Sequence, residues 1–234
     1  MLTWGSGDRV ALLVHGMLGA ASQYHEVGPA LAARGYRAVA VDLPGHGSAP
    51  RAPAATMEVF VDALLSVLEA PPALAIGHSL GAIVLSHAVP RLRPGRVVYV
   101  DVPLDHASAD APPSVAELRE RFTSSRDART LDRLLATRSD WSAADCRVEA
   151  EAAARFDIET AVALERSYVG QAAEGPAVPS LVVRADPSRY VSPERARELE
   201  ELGFWVRSVP GAGHSVWYGH LDEFMAVLDE WLRA

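Results

Sequence analysis

Ala73-Leu74-Ala75-Ile76-Gly77-His78-Ser79-Leu80-Gly81-Ala82-Ile83-Val84 holds a serine between two glycines at a change of hydrophobic period. Residues 73–76 are an apolar run of buried-strand length. Residues 82–88 contain no breaker and suit a helix. A serine at such a junction matches the G-x-S-x-G nucleophile elbow. The nucleophile must sit on a very sharp turn. Side chains two residues to either side would collide with the neighbouring strand and helix, which accounts for both glycines. The helix that follows aims its N-terminus at the serine, where an oxyanion would develop.

Composition narrows the alternatives. The 234 residues suit one large domain, or a domain with an insertion. A net charge of -8 argues against a nucleic-acid or anionic-membrane surface, so neither is expected as a partner. All 22 basic residues are arginine, which excludes a Schiff-base lysine. Cys146 is the only cysteine, which leaves neither an internal disulfide nor a cysteine cluster for zinc. Met1–Asp8 lacks the basic and apolar regions of a signal peptide. No apolar run approaches the roughly 20 residues needed to cross a bilayer. The expected compartment is the cytoplasm.

Outward from the elbow, strands and helices alternate. Arg9–Val14 reads as a buried strand ending in His15-Gly16-Met17-Leu18-Gly19. A helix is expected over residues 22–34, closed by Gly35. A second strand, Tyr36–Val41, runs into Asp42-Leu43-Pro44-Gly45-His46-Gly47-Ser48, where Pro and Gly force a loop. A helix over Thr56–Ala70 ends at Pro71-Pro72. After the elbow and its helix, Arg96–Val100 forms a strand ending at Asp101. Residues 103–176 then read as consecutive helices over Ser114–Thr123, Arg126–Thr137, Ser142–Phe156 and Ile158–Ala172. Strand Ser180–Ala185, helix Pro193–Leu202, strand Phe204–Val209, the stretch Gly211-Ala212-Gly213-His214 and a helix over about 221–233 complete the chain. The alternation predicts an α/β fold with a doubly wound, mostly parallel sheet and active groups after the strand ends. The helical stretch reads as a cap over those ends, dividing the chain into a core (1–102 and 177–234) and a cap insertion (103–176).

Four motifs in order now stand at strand ends: His15-Gly16, Asp42–Ser48, Gly77–Gly81 and Gly211–His214. Together they resemble the α/β-hydrolase superfamily over essentially the whole chain. In family terms the strands above are the third to eighth of the usual sheet, with the N-terminal pair missing or reduced to a stub around Leu2–Trp4. The resemblance implies Ser79 as nucleophile, His214 as its base, and the backbone N–H groups of Met17 and Leu80 as the oxyanion hole. A serine hydroxyl needs such a base within hydrogen-bond range. His15 and His46 belong to loop motifs that the family uses to build its loops. His25, His106 and His220 carry no pattern.

The acid is contested. The usual family arrangement is Gly-x-x-Asp after the seventh strand, but here Ala185-Asp186-Pro187-Ser188 puts Ser188 in that seat. Asp186 lies two residues early, roughly 7 Å along an extended chain. Some members carry the acid after the sixth strand, where this chain has Asp101. A group of small esterases is similar both there and in a Ser-x-Tyr-Val run, matched by Ser188-Arg189-Tyr190-Val191. Asp101 is the preferred acid, and Asp186 is the alternative.

Family members that act on haloalkanes or epoxides use aspartate as nucleophile, so Ser79 implies acyl transfer to water. The expected function is hydrolysis of a carboxylic ester, thioester or lactone of a small to medium apolar acyl substrate. Rivals with the same triad are a C–C hydrolase, a lyase, and a thioesterase or cyclase. A ligand-binding protein on a hydrolase fold is a different class of reading. Leu18, His78, Leu104, Trp141, Tyr190 and Trp217 are candidate pocket residues. No cofactor is expected, and no ligand set is spaced for a metal.

Overall fold

Along β2 (Arg9–Val14), Ala11 and Leu13 face one hydrophobic cluster while Leu12 and Val14 face another, and all four are fully buried. A strand buried on both faces needs a layer of helices on each side of its sheet, and that is what the chain builds. In the computed structural model, which describes residues 1–105, 113–168, 170 and 174–234, seven strands form one sheet in the order β1-β3-β2-β4-β5-β6-β7. They are β1 (Leu2–Trp4), β2, β3 (Tyr36–Val41), β4 (Leu74–His78), β5 (Val97–Val100), β6 (Ser180–Asp186) and β7 (Trp205–Pro210). β1 pairs antiparallel with β3, and the remaining pairs are parallel. The expected stub at Leu2–Trp4 is therefore an edge strand of this sheet.

Helices α1 (Val27–Ala32) and α9 (Leu221–Arg233) cover one face. In α9, Phe224, Leu228 and Trp231 are buried at helical spacing against that face. Helices α2 (Met57–Leu65), α3 (Leu80–Leu92) and α8 (Pro193–Glu201) cover the other. Between β5 and β6 lie α4 (Val115–Asp127), α5 (Leu131–Thr137), α6 (Ala143–Ala154) and α7 (Ile158–Ser167).

Helix joints differ from the sequence reading where local chemistry interrupts a helical pattern. The expected helix over 22–34 is a 3-10 turn, Ala21–Tyr24, followed by α1. Pro29 has no N–H for a bond back to His25, so it fits the first turn of a helix and not the middle of a longer one. The expected helix over Arg126–Thr137 belongs to two helices. α4 runs through Asp127, and α5 starts after Thr130. Ser114 and Ser142 open α4 and α6 with reciprocal capping boxes to Glu117 and Asp145. α2 stops at Leu65, short of Ala70. α7 is helical to Ser167; residues 169, 171 and 172 of its expected span, and His106, lie outside the described residues.

Register places the site. Val14 stands level with Gly77, His78 with Val100, and Val100 with Val183. The ladder continues one residue past the strand ends: Ser79 N–H donates to Val100 O (3.0 Å) and Asp101 N–H to Val183 O (2.8 Å). Ser79 and Asp101 thus leave adjacent strands at the same height.

Candidate active site

Ser79 is the residue between β4 and α3, with φ 50° and ψ -117°. A non-glycine residue there is strained by about 1–3 kcal/mol, and the packing around it must enforce the turn. The two glycines show how. A Cβ added at Gly81 would lie 2.2 Å from Val14 O, and one at Gly77 would lie 2.7 Å from Ala82 Cα. Gly77 lets the head of α3 fold back on β4, and Gly81 lets α3 approach the end of β2. Leu80 begins α3, so its N–H has no acceptor within the helix. The loop after β2 passes close by: a Cβ added at Gly16 would meet Ser79 Cβ at 3.1 Å. That loop carries Met17, half-buried, which packs against the core and against the cluster formed by Leu18, Leu118, Phe122, Phe156 and Val162.

His214 follows β7 through Gly211, whose φ of 78° turns the chain. Its Nδ1 lies 2.7 Å from Oδ2 of Asp101. A carboxylate oxygen only accepts, so Nδ1 carries the proton and Nε2 is left with its lone pair free to act as a base. Asp101 is 1% exposed and has a positive φ of 48°. Its Oδ1 accepts from Ala185 N–H (3.1 Å) and from the Ser188 hydroxyl (2.7 Å). Asp186, the alternative acid, is half-exposed and accepts from Arg184 at 3.1 Å. Its chain position lies beside His214's loop, as Gly211 N–H donates to Asp186 O, but its side chain bonds Arg184.

Three further histidines are buried around this centre. His78 Nε2–H donates to the backbone oxygen of His214 (2.9 Å), and the two rings lie 4.6 Å apart. Burial, with His214 nearby, holds its pKa well below the usual histidine value. His15 Nδ1–H donates to Gly16 O (2.8 Å), while its Nε2 accepts from Leu43 N–H (3.0 Å). It thereby ties the loop after β2 to the loop after β3, and burial lowers its pKa to about 4. Burial lowers His46 to about 3, and its Nδ1–H donates to Pro44 O. Asp42 braces the same region by accepting from Ala21 N–H and from the amide and hydroxyl of Ser48.

The other sequence candidates are placed differently from one another. Tyr190, half-exposed, lays its ring 4.2 Å from that of His214. Leu18 and Leu104 are buried with positive φ, each within a hydrophobic cluster. Trp217 is 1% exposed and sits behind the site, stacked on Tyr24, edge-on to His78, with Nε1–H donating to Gln23 O. Trp141 packs against Tyr218 on the far side of Trp217. Trp141 also carries the Arg138 guanidinium over its ring at 5.0 Å, and Trp217 touches the site through His78. Arg195 was not singled out from sequence. It donates to Pro103 O (2.7 Å) and Leu104 O (2.8 Å), clamping the turn after Asp101. An arginine at the start of an exposed helix carries no sequence signal for that role.

Among the described residues, His25, Glu26 and Asp145 bring three ligand-type atoms within 4.8 Å of one another. Asp145 already accepts from His25 Nε2–H through one oxygen and from Ser142 through the other, which ties α6 to the 3-10 turn. Among the described residues no helix is long and apolar enough to cross a membrane.

The model of the alpha/beta hydrolase family matches residues 11–227. A serine hydrolase-like protein of Dictyostelium discoideum is 33% identical over 91 residues, 36% of this chain and 25% of that protein. The sn-1-specific diacylglycerol lipase ABHD11 of Danio rerio is 31% identical over 106 residues, 42% of this chain and 33% of that protein. The matched stretches thus span a third or less of these relatives' own lengths. The crystal structure of bromoperoxidase from Bacillus anthracis superimposes with a TM-score of 0.78 at 19% identity, covering 100% of this chain and 94% of that one. The match over residues 11–227, on a seven-stranded sheet of this order, establishes that the chain belongs to the alpha/beta hydrolase family.

Proposed function

We propose that this protein is a serine hydrolase that cleaves a carboxylic ester of a small to medium apolar acyl substrate through an acyl-enzyme. The observation that carries the reading is the 2.7 Å contact between His214 Nδ1 and the buried Asp101 carboxylate, beside a strained Ser79 at the head of α3. Family membership and the two relatives bearing hydrolase and lipase names support it.

In this reading Ser79 Oγ attacks the acyl carbonyl carbon and His214 Nε2 takes the hydroxyl proton. The negative charge formed on the carbonyl oxygen is met by the N–H groups of Leu80 and Met17, each worth about 3 kcal/mol to the transition state. The tetrahedral intermediate collapses, and the imidazolium returns its proton to the departing alcohol. Water, deprotonated by His214, then attacks the acyl-serine and releases the acid and free Ser79. Asp101 holds the histidine tautomer and stabilises the imidazolium throughout. The four helices between β5 and β6 serve as a cap. Leu118 and Phe122 of α4, Phe156 of the α6–α7 joint and Val162 of α7 pack with Leu18, next to the oxyanion loop, and set how much apolar acyl chain is accepted.

A panel of acyl esters, acyl-thioesters and lactones, assayed with wild type and Ser79→Ala, tests the proposal. Ester turnover that vanishes in Ser79→Ala is expected. Turnover confined to thioesters or lactones would move the substrate class. Equal turnover by both proteins would remove Ser79 from the reaction.

A further inference from the structure

The seat that the family usually gives to the acid holds Ser188, and its hydrogen bonds fix what its hydroxyl can do. Tyr190 N–H (3.0 Å) and Val191 N–H (2.9 Å) both donate to Ser188 Oγ. A serine hydroxyl has two lone pairs and one proton. With both lone pairs facing amides, the proton is left for the third neighbour, Oδ1 of Asp101 at 2.7 Å. The direction of that bond is therefore set by the turn itself.

We propose that Ser188 is a positioning residue that orients the Asp101 carboxylate toward His214. Asp101 needs such a partner. It sits on a strained positive-φ turn and is 1% exposed, so solvent does not hold its side chain. One oxygen is pinned by Ser188 and by Ala185 N–H, and the other is thereby presented to His214 Nδ1. Both donors to Oδ1 come from β6 and the turn after it. The strand that would otherwise supply the acid supplies the acid's support. The same turn places Tyr190 on the ring of His214. This inference rests on the hydrolase reading for its kinetic effect, but not for the hydrogen-bond chain.

The rival role is a simple brace of the 188–191 turn. A double-mutant cycle over Ser188→Ala and Asp101→Asn separates the two, with circular dichroism and thermal melting to confirm folding. Acting through Asp101, Ser188→Ala lowers kcat about 10-fold or more in the wild-type background, as loss of a hydrogen bond to a charged group does. KM stays within about twofold, and in the Asp101→Asn background the further loss is under about twofold. An equal loss in both backgrounds would overturn the proposal, as would no loss in either. A second readout needs no substrate. The low-field proton resonance of His214 Nδ1–H, assigned by its disappearance in His214→Gln, is expected to shift or broaden in Ser188→Ala. An unchanged resonance would overturn the positioning role. Wild type that turns over no acyl substrate would count against the hydrolase reading, while the resonance comparison would still decide the role of Ser188.

Discussion

At the level of single residues, the proposed triad turns on Asp101: Asp101→Asn should lower kcat by roughly 10³–10⁴-fold, because the amide presents the wrong partner to His214 Nδ1. Ser79 and His214 are legible because glycines bracket or precede them at strand ends, and spacing alone carries that pattern. The choice between Asp101 and Asp186 is not legible in this way. Both stand at strand ends, and which carboxylate meets His214 depends on side-chain direction. The structure puts Asp101 Oδ2 at 2.7 Å from His214 and gives Asp186 to Arg184. Ser188 in the usual acid seat is a visible signal, but its meaning, a donor to Asp101, emerges only with the fold. Asp186→Asn should stay within about threefold, because its carboxylate bonds Arg184 and not His214, and the amide oxygen of Asn keeps an acceptor for the buried Arg184 guanidinium. Steady-state kinetics on folded variants checks both. Near-normal kcat in Asp101→Asn would transfer the role elsewhere.

At the level of elements, β2 to β6 are legible because each is a nearly continuous apolar run buried on both faces, whereas β7, at the edge of the sheet, buries only Val206 and Val209. The helix joints were less legible. Composition reads on through Arg126–Thr137, whereas the backbone breaks after Asp127 and restarts at the Thr130 cap. Capping competes with propensity over one or two residues, and periodicity is blind at that range. The elbow joint is the opposite case, since its glycines are demanded by contact. Gly81→Ala would force a methyl to 2.2 Å from Val14 O, backbone that cannot yield without moving β2. It should destabilise the protein by about 3 kcal/mol or more, measured by urea unfolding. A loss below about 1 kcal/mol would mean that α3 can slide away from the sheet at little cost.

For the whole molecule, the sheet presents Ser79, Asp101 and His214 from three strand ends, and buried neutral histidines weld the loops beneath them. That design carries a pH cost. His15 and His46 have their pKa values lowered by burial to about 4 and about 3, and His78 is lowered as well. Between the ordinary histidine value near 6.5 and these lowered values, the unfolded chain binds protons that the folded chain does not. Stability therefore rises with pH across that window and falls as the pH drops below about 6.5, by up to about 1.4 kcal/mol per pH unit for each histidine. Urea unfolding at pH 7 and pH 5 should show this loss, and His46→Gln should reduce the slope. Equal stability at both pH values would mean that these rings are not buried neutral. The central claim, that Ser79 is the nucleophile of a serine hydrolase, is tested most directly by fluorophosphonate labelling with intact-mass and peptide mapping. The account predicts one adduct, located on Ser79, absent from Ser79→Ala and formed much more slowly in Asp101→Asn. Folded wild-type protein that forms no adduct, or an equal adduct on Ser79→Ala, would contradict it.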